Sequence, residues 1–121
     1  STLLAQKLQQ RAAAVGFDWE HAPDILDKIK EETSEVEQEL TGGNDRDRLA
    51  EELGDLLFAV VNLARRSRVD PELALRGSAL RFRERVEAAA RTAGDEGLFF
   101  EKMGLDEQGV YYQRAKKEQK R

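Results

Sequence analysis

Apolar residues recur along this chain at helical spacing, and glycines, prolines and short polar stretches divide them into about five runs. Residues 2–15 predict a first helix with Leu4, Leu8, Ala12 and Val15 on one face, ended by Gly16. Phe17 to His21 follow as a loop. Its Phe17 and Trp19 are expected to plug one end of a helical bundle; the alternative is that they wall a pocket. Pro23 suits the first turn of a second helix, which runs to about Leu40 on a stripe of Ile25, Ile29, Val36 and Leu40. Gly42-Gly43 breaks it, and Asn44 or Asp45 can cap a third helix that reaches about Arg66. That helix carries the stripe Leu49, Leu53, Leu56, Val60, Leu63 and Ala64, whereas Phe58 falls outside it, a position that suits contact with a partner subunit. Gly54, mid-helix, costs about 1 kcal/mol relative to alanine, which predicts a close helix approach there. Asp70-Pro71 starts a fourth helix to about Ala93, with Leu75, Ala79, Phe82, Val86 and Ala89 or Ala90 inward and Gly94 as its end. Residues 94–109 contain four glycines and predict an irregular connection. A short last helix holds Tyr111 to Lys116, and Lys117 to Arg121 is expected to fray as a basic tail.

The polar residues change this picture where they border the stripes. At 100° per residue Glu32 falls at the edge of the second stripe, with Lys28, Glu35 and Glu39 beside it and Glu31 slightly further round. On the third helix Arg48, Glu52, Asp55, Ala59 and Asn62 form one flank. Carboxylates at the border of an apolar face are expensive to desolvate unless a cation compensates them. Glu32 and Glu35 are three apart, as are Glu52 and Asp55, so two antiparallel helices can aim four carboxylates at one point. One such cluster alone is ordinary solvated helix surface. Two on consecutive helices, with Lys28 a turn before Glu32, Arg48 a turn before Glu52, and Arg81 and Arg85 on the next helix, outline a metal centre with a cationic rim. All-oxygen ligands favour Mg²⁺, with Mn²⁺ able to substitute, and Mg²⁺ takes its remaining ligands from water and substrate phosphates.

Composition narrows the alternatives. Charged residues make up 36% and aromatics 7%, which suits amphipathic helices that share apolar faces with partners. The net charge of −4 argues against a nucleic-acid partner. With no cysteine, a disulfide framework, a thiolate zinc site and a thiol nucleophile are excluded. His21 is the only histidine, so the Glu-x-x-His pairs of a di-iron carboxylate bundle cannot form within one subunit. No run approaches the roughly 20 apolar residues of a membrane span and no secretory signal is visible, so a soluble cytoplasmic protein without a membrane partner is expected.

The motif Glu31-Glu32-x-x-Glu35 followed by Glu52-x-x-Asp55 resembles that of the MazG-type nucleoside triphosphate pyrophosphohydrolases, of the all-α NTP pyrophosphatase superfamily. Val15-Gly16-Phe17-Asp18-Trp19, Lys28 to Glu32, and Glu51 to Ala59 continuing through Val61-Asn62-Leu63-Ala64-Arg65 extend the resemblance over nearly the whole chain. It implies an all-α bundle of about five helices in one domain, 1–121, completed by dimerisation as a homodimer or dimer of dimers. It also implies Mg²⁺-dependent hydrolysis of a nucleoside triphosphate to monophosphate and pyrophosphate, a house-cleaning activity on nucleotide pools. By the same resemblance Glu32, Glu35, Glu52 and Asp55 are metal ligands, and Glu31 orients or deprotonates the attacking water. Lys28, Arg48, Arg81 and Arg85 hold phosphates, and Tyr112 and Lys116 close over the nucleotide. Tyrosine at 112 where the family often has tryptophan, Arg48 for a frequent lysine, and Ser78-Ala79 for a common Ala-Asn are departures, none at a metal ligand. Substrate choice is expected to come from around Trp19, Asn62, Ala79 and Tyr112. The alternatives are a base-selective dUTP or dCTP pyrophosphatase, a phosphoribosyl-ATP pyrophosphohydrolase, or a non-catalytic nucleotide-binding helical dimer.

Overall fold

Helix starts are set by short polar side chains that accept otherwise orphaned backbone N–H groups. In the computed structural model, which describes residues 1–43 and 45–120, helix α1 (Thr2–Ala14) begins after Ser1, whose hydroxyl accepts from the Leu4 amide. Helix α2 (Ala22–Gly42) has proline in its first turn instead, where a missing N–H costs nothing. Asp45 caps α3 (Arg46–Arg66) by accepting from the Asp47 and Arg48 amides. The alternative cap, Asn44, and the last tail residue, Arg121, lie outside the described residues. Asp70 accepts from Glu72 and Leu73 at the head of α4 (Pro71–Asp95). A 3₁₀ turn, Phe100–Lys102, precedes α5 (Leu105–Gln119). All regular elements among the described residues are helical, as the periodicity predicts.

Three of the helices, α1, α3 and α4, end with one device. In α1, the Phe17 amide donates to Ala12 O and the Gly16 amide to Ala13 O, with Gly16 at φ +89°. In α4, Leu98 reaches Ala93 O and Gly97 reaches Gly94 O, with Gly97 at φ +79°. In α3, Val69 reaches Ala64 O and Arg68 reaches Arg65 O, and Arg68 itself takes φ +60°. This is the Schellman closure, a left-handed residue followed by an apolar one. It corrects two expectations. Gly94 does not end the fourth helix; Gly97, which carries the left-handed backbone, does. The stretch from residue 94 to 109 is not irregular throughout, because α5 starts at Leu105 and continues through Lys117 to Gln119 where fraying was expected.

The chain divides into two units, Ser1–Ala74 and Leu75–Arg121. In the first, α2 and α3 form a hairpin and α1 packs on α3. Its buried apolar residues include Ile25, Ala59 and Val61. In the second, Ala89, Ala93 and Tyr111 form a small core, with Phe100 and Met103 against it. The Tyr111 hydroxyl donates to Glu96 at 3.1 Å, and Tyr112 packs on Phe82 with ring centroids 5.9 Å apart.

The predicted stripes are only partly covered. On α1 the expected Leu4, Leu8 and Val15 are exposed, Val15 by 84%, and the half-buried Ala5, Ala12 and Ala13 flank a buried Gln9 instead. Small residues let α1 approach α3 closely enough for Gln9 Nε2 to donate to the Phe58 carbonyl at 3.0 Å. On α2 Leu40, on α3 Leu53 and Val60, and on α4 Leu75 and Phe82 are also exposed. Nothing lies within 4 Å of a Cβ built on Gly54, so the close approach expected there is not made within this chain.

Candidate active site

The hairpin brings the two acidic clusters together because each lies on the flank its helix turns to the other. Glu32 on α2 and Glu52 and Asp55 on α3 place carboxylate oxygens within 4.8 Å of one another. Glu32 is buried to 7% exposure, Glu52 is half-buried and Asp55 is exposed. Burial raises the affinity of the Glu52 carboxyl for its proton, and the negative charges of Glu35, Asp55, Glu32 and Glu39 raise it further. Such crowding is costly for carboxylates alone and is relieved by a cation. Three oxygen donors at this separation, one of them almost fully buried, fit a metal ion, and the hard donor set suits Mg²⁺ or Mn²⁺. Glu35 stands outside this group of three, although its charge acts on Glu52.

Of the expected cations, Lys28 sits beside the acids of the cluster. Lys28 Nζ lies 2.9 Å from Glu32 and 3.6 Å from Glu31. The Glu32 hydrogen bond, and then the two carboxylate charges, hold the Lys28 ammonium more firmly protonated than usual. Glu31 itself is exposed. Arg48 points to Glu39 at 3.8 Å, rather than to Glu52, which its spacing suggested. Arg81, Arg85, Tyr112 and Lys116 belong to the second unit. There Arg85 Nε donates to Gln119 at 2.6 Å, and Tyr112 packs on Phe82.

A cavity of about 700 Å³ opens beside Glu32 and Asp55. Its walls include Leu8, Gln9, Phe17, Trp19, Phe58 and Asn62. Phe17 is 81% exposed, so it and Trp19 wall this cavity and do not plug a bundle end. Phe58, outside the helix stripe, lines the same space. The loop that carries Trp19 is fastened to the end of α3. Arg65 Nη2 donates to Asp18 at 2.6 Å and to Asn62 at 2.9 Å, and Arg65 Nε reaches Asn62 at 3.0 Å. Arg66 donates to the Trp19 and Glu20 carbonyls. The guanidinium of Arg65 holds the Asp18 carboxyl below the ordinary carboxylate range. Trp19 and Asn62 were expected near the substrate from the sequence. Gln9, Asp18, Phe58 and Arg65 were not, since Asp18 and Arg65 are 47 residues apart and neither carries a local signal of the pairing.

Residues 21–88 match the family model of the MazG nucleotide pyrophosphohydrolase domain. The chain belongs to that family. Over 113 residues it is 37% identical to the nucleoside triphosphate pyrophosphohydrolase/pyrophosphatase MazG of Thermotoga maritima, a match covering 93% of this chain and 43% of that protein. Over 116 residues it is 38% identical to the nucleoside triphosphate pyrophosphohydrolase of Escherichia coli K12, covering 95% of this chain and 44% of that one. An uncharacterized Bacillus subtilis protein, YabN, is 39% identical over 73 residues. This MazG chain thus spans less than half the length of the two named pyrophosphohydrolases. The family match contains every acidic residue of the motif and ends before Tyr112 and Lys116.

Proposed function

We propose that this MazG domain hydrolyses nucleoside triphosphates to monophosphate and pyrophosphate with Mg²⁺, as a house-cleaning activity on nucleotide pools. The observation that carries the reading is the carboxylate cluster of Glu32, Glu52 and Asp55 at the edge of a cavity with aromatic walls. An acidic centre needs a cationic substrate or a cation-bridged anionic one, and the cavity beside it has room for a nucleoside. Glu32, Glu52 and Asp55 would hold the ion, joined by Glu35. When bound, Mg²⁺ supplies charge neutralisation on the phosphates and lowers the pKa of a coordinated water. Glu31, exposed one position before Glu32, orients or deprotonates the attacking water. Lys28 gives up its 2.9 Å contact with Glu32 and turns its ammonium to a phosphate oxygen. Arg48, Arg81 and Arg85 neutralise the departing pyrophosphate, and Tyr112 and Lys116 close over the nucleotide.

The working form is a homodimer or a dimer of dimers. Leu53, Leu57 and Val60, spaced four and three apart on α3, are exposed, Leu57 by 67%, and Gly54 beside them leaves room for another helix.

The decisive experiment incubates the protein with Mg²⁺ and a panel of NTPs and dNTPs and separates the products by ion exchange. Monophosphate and pyrophosphate are expected; NDP with phosphate, or no turnover of any substrate, would sink the assignment. Glu35→Ala and Asp55→Ala should each lower kcat by roughly 100-fold or more while leaving the helical circular dichroism intact. Preference for dUTP or dCTP alone would move the domain to the base-selective alternative.

A further inference from the structure

The inner wall of the cavity carries a polar group that the metal and phosphate chemistry does not use. Gln9 is buried to 6% exposure, and its Oε1 has no hydrogen-bond partner. Its orientation is fixed by chemistry: the Phe58 backbone carbonyl can only accept, so the amide nitrogen must face it, as the 3.0 Å contact shows. The oxygen is left as a buried, unsatisfied acceptor. A buried orphan acceptor is destabilising, and a helix can avoid that cost with any apolar residue of similar size. Asn62 across the site is oriented in the complementary sense. Its Oδ1 accepts twice from Arg65, which leaves its amide N–H groups to donate. Trp19 and Phe58 supply flat apolar surface in the same cavity.

The geometry points to a nucleobase-reading site in which Gln9 Oε1 accepts from an N–H donor on the Watson–Crick edge of the base. The inference rests on the nucleotide reading above and deepens it, assigning the base to the first-unit cavity and its selection to Gln9. A buried acceptor in the cavity wall rewards a base that offers a donor there and penalises one that leaves the acceptor empty. Oε1 is closed off from solvent, so the entering base must part the side chains over it. The walls have freedom to do so, since Phe17 and Phe58 are both substantially exposed. Phe58 couples the two functions: its carbonyl orients Gln9, while its ring lines the cavity. The Asp18–Arg65–Asn62 bonds act as positioning contacts that hold the Trp19 wall and the Asn62 donor in register.

Trp19 is the only tryptophan, so its emission reports on this cavity without metal or turnover. Titrations compare cytidine monophosphate with 2-pyrimidinone riboside monophosphate, and adenosine monophosphate with purine riboside monophosphate. Each second member lacks the exocyclic amine. The amine-bearing nucleotide is expected to bind about tenfold more tightly in both pairs, the size of one buried hydrogen bond. Gln9→Met should bring both ratios close to one. Equal affinities in the unsubstituted protein, ratios that survive Gln9→Met, or Trp19 emission indifferent to every nucleotide would each overturn the inference. If Gln9→Met does not fold, the ratios in the unsubstituted protein decide alone. Triphosphate hydrolysis without a base preference defeats this inference and spares the pyrophosphohydrolase reading. A base preference without hydrolysis does the opposite.

Discussion

Asp18 and Arg65 illustrate how single residues assemble this site. Their side chains are 26% and 13% exposed, so the pair is shielded enough to contribute to stability, unlike a fully solvated ion pair. Replacing Asp18 by Asn should cost about 1 kcal/mol at neutral pH. Because Arg65 lowers the Asp18 pKa below 3.8, the contribution is complete above that value and is lost as pH falls through the lower folded value. Thermal unfolding of the two proteins should therefore differ at pH 7 and converge in acid below 3.8; a constant difference across that range would refute the pairing. Glu52 behaves in the opposite sense. Burial and then the negative charge of its neighbours disfavour its ionised form, so Glu52→Gln should raise the melting temperature of the metal-free protein. Saturating Mg²⁺, by contrast, should stabilise the unsubstituted protein, by about 2.7 kcal/mol at one hundred times Kd, and Glu52→Gln should abolish that gain. A metal-dependent shift that survives the substitution would remove Glu52 from the ligand set.

At the scale of elements, the three Schellman closures explain where helices stop and why one misassignment occurred. Gly94 and Gly97 are equally plausible stops in the sequence, but only Gly97 is followed by an apolar residue, Leu98, whose amide returns to Ala93. Gly16 and Phe17 repeat the pattern at the end of α1, which also sets the direction of the loop carrying Trp19. Arg68 performs the same task on α3 with a side chain that disfavours φ +60°. Arg68→Gly should therefore stabilise the protein by about 0.5–1 kcal/mol, with the release of left-handed strain exceeding the extra entropy of the unfolded chain. Denaturant midpoints that fall on this substitution would contradict the account. Helix α1 teaches a different lesson. Its leucines are exposed while Ala5, Ala12 and Ala13 are half-buried, because the contact with α3 depends on close approach and not on side-chain volume.

For the whole molecule, the exposed apolar positions are the dominant fact. Leu53 and Val60 on α3, Leu40 on α2 and Leu75 and Phe82 on α4 fall at helical spacing that predicts burial, yet one chain leaves them exposed, and Leu57 on α3 is exposed beside them. Such faces are stable in water when another surface covers them. Light scattering should give twice the chain mass or a multiple of it, and Leu57→Glu should shift the population towards monomer with loss of stability. A monodisperse monomer for the unsubstituted domain would contradict the dimer proposal.

The sequence by itself determined the helices, the hairpin turn and the acidic motif, because periodicity, caps and i, i+3 spacing are local properties of a chain. Glu31-Glu32-x-x-Glu35 and Glu52-x-x-Asp55 identified the family from those local patterns. Tertiary structure decided which residues meet. It gathered Glu32, Glu52 and Asp55 within 4.8 Å and left Glu35 beside them. It turned Arg48 to Glu39, joined Asp18 to Arg65 across 47 residues, and placed Gln9 inside where Leu8 was expected. These are outcomes of helix packing, in which small side chains permit close approach and distant charges find one another. No pattern within a single helix encodes them.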